Sequence, residues 1–318
     1  MKSIVFGATG FIGSHVAEQL VKAGHEVTAA VRLGSDVHFL KSLGITLQEV
    51  NYADSASIEQ AITLGAVVYN CLAYRGSGKT IEDFRTVEVD LTRQIAEAAQ
   101  RVGARRYIQL SSIIAYGTHI PATPIDETSP PQPDIPIDRA SLEREQAVKQ
   151  VAAETGLDVV ILQPVSTIGQ RDGFSFFHRI LTAHIGNAFP MVNNGQARFS
   201  CIDTRDVGRA MVWLGEAGVE VKGQTYLLKG YDVSWLEIKQ ALDQARGVTA
   251  KIRHIPYRPA QVMAVIMEVL LPNPPLERRT FHVLTRNRKY DDRKIRSAGF
   301  TPYYTDLQDT INTALSVN

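Results

Sequence analysis

The first half of the chain sets short apolar runs between longer amphipathic stretches. Ser3-Ile4-Val5-Phe6 and residues 26–31, 45–50, 66–71, 105–110 and 158–163 are rich in Val, Ile, Leu and Tyr. Near-continuous apolar runs of this length predict strands covered on both faces. Between them, residues 11–22, 35–43, 55–63, 82–102 and 138–155 read as helices. The alternation predicts an α/β fold, a doubly wound parallel sheet of Rossmann type. After residue 165 the rhythm loosens into short helices with Gly and Pro. That half predicts a smaller, mostly helical lobe over the carboxyl ends of the strands, where open α/β sheets take their ligands. The pattern divides the chain into a sheet domain, 1–165 with 201–228 returning to it, and a lobe made of 166–200 and 229–318.

Two stretches depart from the rhythm. Residues 117–136 hold six prolines in twenty positions; this is a long loop, and long loops inside compact domains often carry function. Ala260 to Leu271 is apolar but too short to span a bilayer, and it contains Glu268. It reads as an amphipathic helix packed in the core, with pocket lining as the alternative.

Composition narrows the classes. With 318 residues, 44% hydrophobic and 21% charged, the chain is that of a soluble globular protein with a large core. A formal net charge of +1 gives no electrostatic case for nucleic acid or an anionic membrane. Cys71 and Cys201 lie far apart and are expected as buried, reduced thiols. The first strand begins at residue 3, with no room for a signal peptide, so a cytoplasmic protein without a membrane span is expected.

The densest chemical signal is Gly7-Ala8-Thr9-Gly10-Phe11-Ile12-Gly13, between the first strand and the first helix. A dinucleotide site needs this order. Gly7 takes the tight turn, Gly10 lets backbone approach a pyrophosphate, and Gly13 lets helix pack on strand. The helix start then offers free N–H groups to phosphate. Gly76-Ser77-Gly78-Lys79-Thr80 imitates the end of a triphosphate loop, but Ala73 stands where that pattern needs Gly, and the segment follows the fourth strand. A loop beside the nicotinamide is the better reading. Glu143-Arg144-Glu145 and Arg278-Arg279 read as solvated helix faces.

The order of landmarks resembles the extended short-chain dehydrogenase/reductase superfamily, above all its epimerase/dehydratase and 3β-hydroxysteroid dehydrogenase-like members. Gly7, Gly10 and Gly13 match its glycine pattern, with Thr9, Phe11 and Ile12 between them. Asn51-Tyr52-Ala53-Asp54 falls at its adenine-contacting segment, with Asn51 in place of Asp. Asn70-Cys71-Leu72-Ala73 matches the end of the fourth strand, and Ser111 to Gly117 its Ser-Ser-x-x-x-Tyr-Gly. Gln163-Pro164 replaces the usual Arg-Pro. Phe199 to Ala210 and Tyr290 to Pro302 match two later segments. The resemblance implies a bound NAD or NADP, a small-molecule substrate, and a homodimer through a four-helix contact. It also implies that Leu72, Ala73 and Pro164 lie beside the cofactor and that Ser112 is the catalytic hydroxyl. Relatives specific for NAD end the second strand with a carboxylate; here Val31 is followed by Arg32, with Ser35 near, which favours NADP.

The reactive centre departs from the pattern. Superfamily chemistry rests on Tyr-x-x-x-Lys, one helical turn apart. Those positions are Ile137 and Ser141, and Glu88 stands where the family carries Asn. Candidate substitutes are Tyr116, His119, Asp126, His178 and, if buried with a raised pKa, Glu88. No metal site is assigned. Two expectations follow. One is an atypical NADP(H)-dependent oxidoreductase of a small or medium carbonyl or enone, with an apolar substrate as one option and a redox-neutral isomerase or cyclase as a variant. The other is a non-catalytic NAD(P)-binding sensor, assembly factor or subunit.

Overall fold

The computed structural model describes residues 1–74, 80–119, 121–270, 281–282 and 285–316. Its strands are β1 (Lys2–Phe6), β2 (Glu26–Val31), β3 (Thr46–Glu49), β4 (Val67–Asn70), β5 (Arg106–Leu110), β6 (Val159–Pro164), β7 (Ser166–Ile168), β8 (Phe189–Val192), β9 (Arg198–Asp203), β10 (Thr225–Leu228), β11 (Tyr231–Ser234) and β12 (Ile252–Ile255). Seven of them form one sheet in the order β10-β6-β5-β4-β1-β2-β3, every neighbouring pair parallel. The expected strands appear to within a residue or two. The remaining strands pair in two small sheets, β11-β9-β7 and β12-β8.

Side-chain alternation along β1 divides the core. Val5 points into one hydrophobic cluster with Val16, Leu20, Tyr69, Leu162 and Met211, under the helices α1 (Phe11–Lys22) and α8 (Thr204–Glu216). Ile4 and Phe6 point into another with Ile58, Ile95, Tyr107, Val148 and Ile161. Its cover is α3 (Ser55–Gln60), α5 (Leu91–Val102) and α6 (Pro136–Thr155). Each fully buried Val, Leu or Ile contributes roughly 1.5–3 kcal/mol, which explains why strands covered on both faces are apolar throughout. A third cluster lies off the sheet. It joins Phe177 and Ile180 of α7 (Phe176–Ile185) to Phe189, Met191, Trp235, Ile238 and Leu242, the last three on α9 (Trp235–Arg246). Trp235 is buried there, and its Nε1 donates to Pro190 O at 2.7 Å.

Three sequence expectations change. The helix expected over 82–102 is interrupted: α4 (Ile81–Arg85) leads through a π-helical turn, Thr86–Asp90, into α5. The apolar stretch from Ala260 does form an amphipathic helix, α10 (Tyr257–Leu270), but only one row of it is core. Ala260 and Ala264 are buried in the third cluster with Tyr257 and Met267 packed against it, while larger residues lie off that row. Val262 is 57% and Leu270 70% exposed, with Met263, Val265 and Ile266 also exposed. Leu271 lies outside the described residues. Arg144 and Glu145 are buried rather than solvated, because they follow Ala140 and Ser141 on the face of α6 that meets the sheet; Arg278 and Arg279 lie outside the described residues.

Among its described residues the proline-rich segment has neither helix nor strand until α6, whose first residue is Pro136, where a missing N–H costs nothing. Its backbone is clasped to the C-terminal part of the chain. Ile125 N donates to Lys289 O at 2.9 Å, and Asp291 N donates to Ile125 O at 2.8 Å. Cys71 and Cys201 are buried free thiols, and burial pushes the Cys71 thiol up to about 12. Among the described residues no helix is long and apolar enough to cross a membrane.

Candidate active site

Parallel register brings the functional segments to one edge. Phe6 pairs with Ala30 and with Asn70, Asn70 with Gln109, and Leu110 with Leu162. The chain therefore leaves β1, β2, β4, β5 and β6 at the same side, carrying Gly7, Arg32, Leu72, Ser111 and Val165 with it.

The turn after β1 is built for a close approach. Gly7 has φ +78°, and a Cβ there would lie 2.8 Å from the Cys71 carbonyl carbon. Gly10 N donates to Gly7 O at 2.9 Å and closes the turn. A Cβ on Gly13 would collide with the Gly7 carbonyl. Helix α1 then starts at Phe11 with no side-chain cap on Gly10 and no acidic residue in its first turn. Its first N–H groups and dipole are left for an anion. Thr9 is exposed beside them and Ile12 half-buried. Arg32, just past β2, is exposed and lies close enough to act electrostatically on Tyr52. Tyr52 packs against Phe6, with ring centroids 6.3 Å apart, and burial pushes its phenol up to about 12. Asn51 Oδ1 accepts from Ala53 N at 3.1 Å, and Asp54 caps α3. This cradle fits a dinucleotide. Gly7, Gly10 and the start of α1 would hold the pyrophosphate, and Asn51, Tyr52 and Arg32 the adenosine end.

Beyond β5 and β6 lies a cavity of about 450 Å³. Ser112, Ile137 and Val165 line it from the sheet side, Phe176, Phe199 and Trp235 from the third cluster, and Phe174 from the segment before α7. Ser112 caps the turn Ile113–Tyr116, its Oγ accepting from Ile114 N at 3.4 Å. Ser112 and Ile137 therefore share a cavity. Ser141, one helical turn further along α6, is fully buried, and its Oγ has no hydrogen-bond partner among the described residues.

The other candidates lie off the cavity lining. Glu88 sits on the π-helical turn, buried, ion-paired with Arg144 and accepting from Tyr74 N at 2.7 Å. Tyr116 is buried and donates to Gln163 Oε1 at 2.9 Å; burial, then the Glu145 charge, pushes its phenol above the ordinary range. His178 is half-buried on α7. His119 is exposed. Asp126 accepts from Thr128 and Ser129, and these bonds hold its carboxyl below the usual range. Residues 76–79 of the triphosphate-like segment lie outside the described residues.

Sequence reasoning missed a buried polar chain. Arg144 Nη2 donates to Ser111 Oγ at 3.3 Å, which donates to Glu145 Oε1 at 2.5 Å. Gln163 Nε2 donates to the same carboxylate at 2.8 Å, and Tyr116 to Gln163. With Glu88 and Tyr74 N, one run of bonds ties the loop after β4 to the turn after β5. The spacing Ala140, Arg144, Ala147, Val148, Val151 was the available signal, since it puts Arg144 on the apolar face of α6.

The sequence model of the NAD dependent epimerase/dehydratase family matches residues 3–228. The chain belongs to that family. Sterol demethylase protein B of Methylococcus capsulatus is 28% identical over 312 residues, 94% of this chain and 89% of that one. A 4-hydroxy-2-methyl-3-oxo-4-farnesyl-3,4-dihydroquinoline-1-oxide ketoreductase of Stigmatella aurantiaca is 24% identical over 275 residues, 85% of this chain and 80% of that one. The crystal structure of UDP-glucuronic acid 4-epimerase from Bacillus cereus with NAD superposes with a TM-score of 0.78 at 21% identity. That match covers 99% of this chain and 97% of the epimerase. The extended superfamily and its Rossmann fold are thus shown, and with them membership among NAD(P)-dependent oxidoreductases and epimerases.

Proposed function

We propose that this protein is an NADP(H)-dependent oxidoreductase of an apolar carbonyl or enone compound. The observation that carries the reading is the shared cavity of Ser112 and Ile137, apolar over most of its lining and set beyond β5 and β6, at the sheet edge that also carries the glycine cradle. When bound, the cofactor supplies or accepts hydride. The chain's own residues hold and orient. Ser112 Oγ donates a hydrogen bond to the substrate oxygen, and the aromatic lining excludes water and fixes the substrate's body. Ile137 has no proton to give, so the proton comes from solvent. Arg32, exposed past a strand that ends in Val31 rather than a carboxylate, pairs with a 2′-phosphate. The ketoreductase relative supports a carbonyl substrate.

A second reading is a non-catalytic NAD(P)-binding protein. Ile137 and the sealed hydroxyl of Ser141 favour it, since neither position offers a titratable group. Fluorescence titration with NADPH and NADH, followed by NADPH oxidation across apolar ketones, aldehydes and enones, separates the two. The enzyme reading expects tighter NADPH binding, loss of that preference in Arg32→Glu, and turnover that falls at least about tenfold in Ser112→Ala. Tight NADPH binding without redox or redox-neutral turnover establishes the second reading.

A further inference from the structure

The cavity that holds Ser112 also holds positive charge that the reaction above does not use. Its lining includes Arg286 and Arg288, and no Asp or Glu stands among the described lining residues. Arg288 Nε and Nη2 are buried and lack a hydrogen-bond partner among the described residues. Neither arginine has a side-chain hydrogen bond or ion pair to a described residue. The segment is fixed: Arg286 N donates to His282 O at 3.1 Å, Arg288 N to Arg198 O at 3.3 Å, and the Arg288 guanidinium lies 5.3 Å from the centroid of the Tyr290 ring. A guanidinium with buried, unpaired nitrogens is unfavourable unless an anion completes it.

The rest of the lining selects what the anion is attached to. Ile113, Ile114, Ile137, Phe176, Phe199 and Trp235 offer hydrocarbon. The hydroxyls of Thr118, Ser175 and Ser200 are already donated to Asp134, Asp172 and Asp232. Those three hydroxyls are not available as donors to a polyhydroxylated ligand, which leaves Ser166 and Thr167 beside Ser112.

We infer that this cavity binds an apolar molecule carrying one anionic group, a carboxylate or a phosphate monoester, with Arg288 and Arg286 taking the charge. The inference rests on reading this cavity as the substrate site. It restricts the substrate class to amphipathic anions and assigns two binding residues far in sequence from the serine segment.

The test is calorimetry on the full chain with saturating NADPH, using dodecanoate, dodecyl phosphate, dodecanol and UDP-glucose. At least one of the dodecyl anions binds about tenfold to a hundredfold more tightly than dodecanol, the range of a charge-assisted hydrogen bond. That advantage shrinks with added salt. Arg288→Met brings the anion to the level of dodecanol and leaves dodecanol unchanged; Arg286→Met does so in part. The tighter of the two anions identifies the headgroup. Unchanged NADPH affinity shows that each variant is folded, and Arg286→Met keeps the inference exposed if Arg288→Met is not. Equal binding of anions and dodecanol, or no dodecyl binding, overturns it. So does tighter binding of UDP-glucose that is lost in Arg288→Met, which assigns the pair to a diphosphate. The cofactor titration keeps the two ideas apart. NADPH binding without anion preference sinks only this inference, and anion preference without NADPH binding sinks only the oxidoreductase reading.

Discussion

The glycine cradle after β1 and the buried polar chain around α6 lie at the same edge of one sheet and are built on different principles. The cradle is backbone: turn, carbonyl contact, uncapped helix start. It needs only the absence of side chains at positions 7, 10 and 13, and the family pattern is intact there. The region around α6 is side chains. Positions 88, 137, 141 and 163 all differ from the family pattern. Lys is absent at 141 and Arg at 163, and the carboxylate at 88 is ion-paired with Arg144. A site made of backbone tolerates little change, whereas one made of side chains can be rewired if its charges stay matched.

The largest effect should come from the cradle. Gly13→Val drives a side chain into the Gly7 carbonyl. It should cost about 3 kcal/mol or more and abolish measurable NADPH binding, read by thermal melting and fluorescence titration. Near-normal binding would show that the turn is not set by close packing. Nearly as large is Glu88→Met, which strips the counter-ion from buried Arg144. It should destabilise by about 3–5 kcal/mol in urea unfolding, and Glu88→Met with Arg144→Met should recover most of that. A double variant as unstable as the single one would mean that the charges do not compensate each other.

Acid should come next. His15 is buried on α1, its Nε2 bonded to Gln170 O at 3.0 Å. Burial, then Arg171, holds its pKa at about 4 instead of 6.5. The unfolded chain takes up this proton first, so the stability it confers is complete above pH 6.5 and lost as pH falls toward 4. The loss is about 3 kcal/mol. Urea unfolding at pH 7 and 4.5 measures it, and His15→Asn should flatten that slope. Smallest is Tyr116→Phe, which removes one buried hydrogen bond at about 1 kcal/mol. Turnover should persist in this variant. A fall of about 100-fold or more would make Tyr116 the proton donor after all.

The same contrast explains what could be read in advance. Gly7, Gly10 and Gly13 signal by residue type, and the runs Val67–Asn70 and Val159–Pro164 by their continuity, so sheet and cradle were legible. Arg144 was not. A Glu-Arg-Glu triplet looks solvated until the phase of α6 is fixed against the sheet, and that phase comes from packing. Arg286 and Arg288 were hidden for another reason: what they share with Ser112 is a cavity, not a stretch of sequence. Glu88 was singled out on the condition of burial, which the structure meets, but its partner lies on another helix.

The clasp between Ile125 and the Lys289–Asp291 segment has a consequence for how the protein is made. Strand β1 can pair with β2 and β4 while the chain is still being synthesised, because all three emerge early. The cavity cannot close then. One side of it hangs on a loop near residue 125 and the other on a segment near residue 290, and contacts so distant in sequence form late. A nascent chain would therefore own its nucleotide cradle well before its substrate cavity, with the apolar lining of that cavity open to chaperones in between.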